Sequence, residues 1–227
     1  MDTPEISVII PCLNEETALP QTLERLARLP LEIIVVDGQS RDRTPDIARK
    51  YAHQTLISPP GRARQMNLGA SRANGDILFF MHADSLPPQN ADSIIRRIVD
   101  TPNVIAGAFR LYIDSRHPVV RFLNHTGNLR ARLWQLPYGD QGLFLKKTTF
   151  ERMGGFADIP LMEDVEMARR LKKIGRIVIA TEAMTTSARR YMQTGPIKNT
   201  LKNQWRLIRY YNGTPPEKLT TTYRSIR

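Results

Sequence analysis

Residues 6–15 read Ile-Ser-Val-Ile-Ile-Pro-Cys-Leu-Asn-Glu, and residues 33–38 read Ile-Ile-Val-Val-Asp-Gly. Each is a short, β-branched run that stops at a polar or turn-forming residue. Runs that are apolar at every position suit parallel strands buried on both faces of a sheet. A third run, Asp76 to Met81, ends in His82-Ala83-Asp84, and Thr55-Leu56-Ile57 is a weaker one. Segments of helical periodicity lie between them. These are Glu15 to Leu29, with Leu19, Leu23, Leu26 and Ala27 on one face, then Thr44 to Tyr51, and Arg62 to Arg72 after Pro59-Pro60-Gly61. Strand and helix alternating at this interval predict right-handed βαβ units. The expected class is α/β, with a mostly parallel central sheet and helices on both faces.

The second half is more mixed. Val104–Ile113, Gly142–Leu145 and Ile177–Ile179 read as strands, and Val119–Trp134, Glu163–Lys173 and Ile197–Tyr211 as helices. After Gly213 the sequence TPPEKLTTTYRSIR is polar and marked by proline, so 213–227 is expected to be a mobile tail.

Composition narrows the class further. A chain of 227 residues, 41% hydrophobic with 13 Gly and 16 Pro, suits one globular domain and excludes collagen-like or wholly disordered readings. No apolar run approaches the ~20 residues that span a bilayer. The start, MDTPEISVII, has no basic segment before its apolar run and does not read as a secretory signal. Cys12 stands alone and has no internal disulfide partner, which predicts a reducing, cytoplasmic setting. The net charge of +11 is concentrated at one end: from Arg189 to Arg227 there are nine Lys/Arg and one acid, Glu217. That segment suits a polyanion, whether nucleic acid, anionic lipid or phosphorylated substrate. The nearly neutral remainder weighs against a nucleic-acid binder.

In an open α/β sheet, ligands bind beyond the carboxyl ends of the strands. Three such ends carry polar groups here: Asn14 and Glu15, then Asp37, then His82 and Asp84. No G-x-G-x-x-G and no P-loop sequence follows the first strand, which disfavours dinucleotide and P-loop chemistry. In extended chain His82 and Asp84 point to one side. They would form a half-site for Mn²⁺ or Mg²⁺, completed by water and diphosphate oxygens. The plainer alternative packs His82 at the sheet edge and makes Asp84 a turn cap before Pro87. For Asp37 the plainer alternative is a turn former.

The ordered segments ISVIIPCLNEE, VVDGQSRDRT, GRARQMNLGA, GDILFFMHAD and MEDVEMARRL resemble family 2 glycosyltransferases. More narrowly they resemble the small bacterial branch associated with radical-SAM proteins and arsenosugar biosynthesis. The resemblance runs from about Ile6 to Asn212. It implies the GT-A fold, a Rossmann-like nucleotide-diphospho-sugar transferase fold, as a single domain over 1–212. Within it, about 1–100 would bind the nucleotide, about 101–190 would face the acceptor, and about 194–212 would be an amphipathic helix.

By the family pattern, Pro11, Leu13 and Glu15 line the nucleoside pocket and Asp37 hydrogen-bonds the base. Asp84 is the last acid of the family's Asp-x-Asp and the metal ligand; His82 replaces the first acid, which favours Mn²⁺ through its softer nitrogen. Met66 stands where the family has an arginine, leaving Arg62, Arg64 or Gln65 to cover that role. Glu163-Asp164 matches the acidic pair that supplies the catalytic base, although carboxylates at a helix head also answer the helix dipole. Asp140 and Gln141, in the segment before a strand, face acceptor hydroxyls or form a tight turn. Arg189-Arg190 is placed to neutralise a leaving diphosphate. Gln204-Trp205-Arg206 is not the Gln-x-x-Arg-Trp of processive members, so transfer is expected to be non-processive.

The reading is therefore an inverting, metal-assisted enzyme of hexosyltransferase type. It would take a nucleotide-diphosphate sugar as donor and a hydroxyl acceptor. Two rivals are a sugar-nucleotide pyrophosphorylase on a related fold and a non-catalytic cationic protein binding RNA or lipid. In the last helix Ile197, Leu201, Trp205 and Ile208 form one stripe, and Lys198, Lys202, Arg206 and Arg209 repeat it one residue on. Two arrangements satisfy that pattern. The helix lies on an anionic membrane at the cytoplasmic face, near a lipid-linked acceptor, or it packs on the domain with a solvated basic edge.

Overall fold

In a computed structural model, which describes residues 5–115, 117–188 and 195–220, the chain forms one eight-stranded mixed sheet with helices on both sides. The strands are β1 (Ile6–Cys12), β2 (Glu32–Asp37), β3 (Gln54–Ile57), β4 (Ile77–Phe80), β5 (Ser85–Leu86), β6 (Val104–Asp114), β7 (Leu143–Lys146) and β8 (Arg176–Ser187). The helices are α1 (Leu19–Leu26), α2 (Thr44–Tyr51), α3 (Arg62–Arg72), α4 (Ala91–Val99), α5 (Pro118–Trp134), α6 (Lys147–Arg152), α7 (Glu163–Leu171), α8 (Pro196–Tyr211) and α9 (Pro216–Thr220). The spatial order is β3-β2-β1-β4-β7-β6-β8-β5. β3, β2, β1 and β4 run parallel, β7 enters antiparallel to β4 and β6, and β8 returns parallel to β6.

The β-branched runs give the parallel half. β1 and β4 are buried at every position, so each feeds both layers of the core. On β4, Phe79 turns to one face and meets Phe109 and Phe144, with ring centroids 5.7 and 6.3 Å away. Phe80 turns to the other and meets Phe150 and Phe156, both at 5.0 Å. Helix α3 lies close on the sheet because Gly69 faces it: a Cβ there would come within 2.5 Å of Ile9 Cγ2.

Several elements differ from the sequence reading. The first helix begins at Leu19 rather than Glu15: Asn14 is left-handed at φ 53°, and the N–H groups of Asn14, Glu15 and Glu16 are donated to side chains of the next loop. The strand read as Ile177–Ile179 is the start of a twelve-residue strand. Part of the expected tail is ordered: Pro216–Thr220 is helical and its Leu219 is fully buried, which anchors it. Residues 221–227 lie outside the described residues.

Candidate active site

The carboxyl ends of β1 and β2 are clasped by their loops. Asn14 N–H donates to Ser40 Oγ (2.8 Å), Glu15 N–H to Thr44 Oγ1 (2.7 Å) and Glu16 N–H to Asp42 Oδ2 (3.1 Å). In return Arg41 N–H donates to Asn14 Oδ1 (2.9 Å) and Arg43 N–H to Glu16 Oε2 (3.2 Å). Short polar side chains that satisfy loop N–H groups are common at such turns. Here they lock two loops together, with Asn14 in the left-handed region at φ 53°. Pro11 is buried beneath this clasp, and Leu13 and Glu15 are half-buried at its edge.

Asp37 is buried at the end of β2. Its Oδ2 accepts from Ser40 N–H (3.0 Å), while its buried Oδ1 has no hydrogen-bond partner among the described residues. A buried acceptor left unpaired is costly, and an N–H donor from a ligand would satisfy it. Burial pushes the Cys12 thiol well above its ordinary range, and the charges of Glu15, Asp37, Asp42 and Asp84 push it further. The donor edge is thus a region of negative field.

Gln65 does not face a ligand. Its Nε2 donates to Cys12 O (2.8 Å) and Val36 O (2.7 Å), so it is a buried brace between β1 and β2. The nucleotide-contact role expected of Gln65 is corrected accordingly. Both amide hydrogens are already spent on strand-end carbonyls.

After β4 the chain turns instead of staying extended, with Ser85 N–H donating to His82 O (3.3 Å). The same-side argument for His82 and Asp84 therefore does not apply. Thr22 Oγ1 braces the turn by donating to Ala83 O (2.7 Å), and Ser187 N–H donates to Asp84 O (3.3 Å). His82 Nε2 lies 3.3 Å from Arg62 Nη1. A guanidinium only donates, so this contact uses the nitrogen lone pair a metal would need. Among the described residues no three His, Cys, Asp or Glu side chains gather into a metal-holding group. The half-buried Asp84 carboxylate, set in the negative donor edge, still fits Mg²⁺ or Mn²⁺ as a single anchor. Such ions keep water and take substrate phosphate oxygens as their other ligands.

Across the cleft stands the head of α7. Glu163 is buried and its Oε1 pairs with Arg62 Nε at 2.9 Å, while its Oε2 is buried without a hydrogen bond among the described residues. Burial raises the Glu163 pKa, Arg62 opposes the rise and Asp164 adds to it. Arg62 is thus tied to Glu163 and His82, linking α3 to α7. Asp164 Oδ2 accepts from Gly139 N–H (2.7 Å) and its Oδ1 from Val165 N–H (2.7 Å). Asp140 sits beside it with a buried Oδ1 that has no hydrogen bond among the described residues; burial, then Asp164, push its pKa up to about 6 against the pull of Arg130, and Asp84 adds to the rise. Gly139 lets the chain pass close to His82: a Cβ there would fall 2.8 Å from His82 Nε2 and displace the ring.

Gln141 is buried, accepting from Tyr138 N–H (3.1 Å) and donating to Phe109 O (3.0 Å). It holds the turn to β6 rather than an acceptor, which corrects that expectation. A small pocket is lined by His82, Gly139, Glu163 and Asp164 together with Met66, Phe80 and Leu143. Arg190 lies outside the described residues. Sequence reasoning missed the Ser40–Asp42–Thr44 clasp and the stacking of Arg130 on the Tyr138 ring at 3.6 Å. The clasp had a signal in the cap-forming residues of DGQSRDRT; the stack had none.

With that geometry in view, comparisons with known proteins agree. The family model for glycosyl transferase family 2 matches residues 7–157. A probable glycosyltransferase of Bacillus subtilis, YdaM, is 27% identical over 205 residues, covering 77% of this chain and 48% of that protein. The chain thus spans about half the length of that curated relative. The 4,4'-diaponeurosporenoate glycosyltransferase of Staphylococcus haemolyticus is 41% identical over 95 residues, 36% of this chain and 24% of that one. Among solved structures, the mannosyltransferase PcManGT of Pyrobaculum calidifontis, in complex with GDP-Man and Mn²⁺, has a TM-score of 0.64. It is 21% identical, over 80% of this chain and 56% of that one. TarS of S. aureus in complex with UDP-GlcNAc also scores 0.64, at 17% identity over 81% and 58% of the two chains. Motif order, sheet topology and these matches lead to one assignment: the chain has the GT-A fold and belongs to glycosyl transferase family 2.

Proposed function

We propose that this chain moves a hexosyl group from a nucleotide-diphosphate sugar to an acceptor hydroxyl, with inversion, one transfer at a time. The observation that carries the reading is that the segment after β4 and the head of α7 line one pocket through His82, Glu163 and Asp164, with Gly139 N–H bonded to Asp164 and the charges of Asp164 and Asp84 both acting on Asp140. Asp164 takes the acceptor proton as the acceptor oxygen attacks the anomeric carbon. The bond to the diphosphate breaks and its electron pair leaves on the nucleotide. The Gly139 N–H and the helix head hold Asp164 in place for this. Asp37 Oδ1 accepts from the base, and Pro11, Leu13 and Glu15 line the nucleoside. Asp84 would hold a divalent cation, Mn²⁺ or Mg²⁺, which supplies positive charge to the leaving diphosphate. His82 and Arg62 set the position of Glu163, and Arg190 is assigned to the diphosphate. The acceptor is lipid-linked, met at the cytoplasmic face of a membrane. Placement in the branch associated with radical-SAM proteins and arsenosugar synthesis is carried by the motif resemblance.

A thermal-shift screen with UDP, GDP, CDP and dTDP, with and without Mn²⁺, tests the donor site. A ligand that binds the native state raises its midpoint with occupancy. One nucleotide should give a metal-dependent rise that Asp84→Asn removes, because a neutral amide is a poor ligand for a hard cation. No shift with any nucleotide, or an undiminished metal-dependent shift in Asp84→Asn, overturns the assignment.

A further inference from the structure

Helices α5 and α8 pack against each other, and neither contains an aspartate or glutamate. The stripe Ile197, Leu201, Trp205 and Ile208 of α8 points away from the domain, each residue 50–64% exposed. Its inner side is instead formed by Arg206 and Leu207, both buried, and by Tyr210. Arg169 of α7 lies over the rings of Tyr210 and Tyr211 at 6.0 and 5.1 Å. On α5, Phe122, Leu129 and Leu133 share one face and Trp134 adjoins them, all 50–67% exposed. Isolated exposed apolar residues need no explanation, but eight large ones on two touching helices do.

The surrounding chemistry selects the occupant. Lys198 and Lys202 flank the α8 stripe, and Arg121 and Arg132 flank that of α5, all exposed. Arg209 stacks on Trp205 with its guanidinium 4.6 Å from the ring centre. The only two tryptophans of the chain, Trp134 and Trp205, both lie on this surface. Apolar stripes, exposed indoles and cations on two helices that carry no carboxylate of their own match the order of layers in an anionic bilayer: acyl chains, interface, charged headgroups.

We infer that the α5/α8 face seats the protein on an anionic bilayer surface. The face adjoins the acceptor side of the cleft. From Trp134 the chain passes through Leu136 and Pro137 to Tyr138–Asp140, and Arg130 of α5 stacks on Tyr138 at 3.6 Å. Lys172, just after α7, donates to Trp134 O at 2.6 Å. Delivery of a bilayer-held acceptor through this face rests on the acceptor assignment proposed above; docking itself does not.

Co-sedimentation of the full chain with vesicles tests it. One set is phosphatidylcholine alone, the other phosphatidylcholine mixed with phosphatidylglycerol. The expected result is binding to the mixed vesicles, with a blue shift of tryptophan emission and weakening by salt. The double variant Leu201→Glu/Trp205→Glu changes only exposed positions and should lose at least about tenfold in partitioning, from lost apolar insertion. Lys198→Glu/Lys202→Glu should lose the preference for anionic vesicles. Both variants should keep the nucleotide-dependent thermal shift, so a failed donor screen and a failed docking assay are separate results. No vesicle binding, equal binding to both compositions, or unchanged binding by Leu201→Glu/Trp205→Glu overturns the proposal. So does a dimer that this double variant dissolves in the absence of lipid, which would make the face a contact between copies.

Discussion

The two edges of the cleft, to which we assign the donor and the acceptor, are built from different interactions. At the donor edge, β1 and β2 run side by side, and their loops exchange backbone N–H bonds with short polar side chains, braced by Gln65. At the acceptor edge, position depends on charge: Arg62 to Glu163, Asp164 to a backbone N–H, Arg130 on an aromatic ring. The clasp shares its hold among several hydrogen bonds, whereas a buried, paired charge such as Glu163 keeps its position only while its partner is present. The donor half is therefore expected to tolerate single substitutions better than the acceptor half.

The largest effect should come from Asp164→Asn, which keeps the size of the side chain but can accept from only one of the Gly139 and Val165 N–H groups and cannot take a proton. Transfer should fall by ~10²–10⁴ while nucleotide affinity stays within a few-fold, measured by initial rates and by thermal shift. If Asp140→Asn abolishes transfer and Asp164→Asn does not, Asp140 is the base. Next is Arg62→Ala, which strands the buried Glu163 carboxylate. Breaking such a pair costs about 3–5 kcal/mol, to be read from urea unfolding. Adding Glu163→Gln should recover part of it, and no recovery would mean that the two groups are not coupled.

On the donor side Gln65→Ala should be milder, at about 1–3 kcal/mol, since it leaves strand-end carbonyls unpaired without stranding a charge. Mildest should be Asn14→Ala, which removes one exposed hydrogen bond worth about 0.5–1.5 kcal/mol and adds some strain to left-handed backbone at φ 53°. It should raise the donor KM and leave kcat unchanged. A kcat loss in Asn14→Ala larger than that in Arg62→Ala would reverse the contrast between the two edges.

The same contrast governs what the sequence revealed. The parallel strands were legible because a buried strand must be apolar at every position, and Ile33–Val36 and Ile77–Met81 leave no other reading. The place of Asp37 at a strand end was legible because an apolar run closes on Asp-Gly. The HAD segment was misread locally, since the i, i+2 rule holds only in extended chain and Thr22 holds this one in a turn. Gln65 and Gln141 were placed correctly in the chain but given the wrong work: a glutamine buried by tertiary packing looks like any other polar residue in sequence. Helix α4 lay outside the motifs, although Ile94, Ile95, Ile98 and Val99 share one helical face. For α8 the periodicity found the stripe but not its direction. Which side of an amphipathic helix meets the domain depends on Leu207 and Tyr210 finding a partner there, a long-range fact.

The short pairing of Ser85–Leu86 with Thr185–Thr186 has a consequence for the order of folding. Ser85 and Thr186 are 101 residues apart, yet this pairing and the Ser187–Asp84 bond hold the chain beside Asp84. Closing so long a loop comes at an entropic cost and late, after local βαβ units have formed. On a chain emerging from synthesis, β1 to β4 can assemble with their first polar ends in place while Asp84 still lacks its strap. The turn that carries Asp84 is then the last of these strand ends to be completed, when β8 docks. A nascent chain short of β8 would be able to fold a sheet but not to finish the cleft.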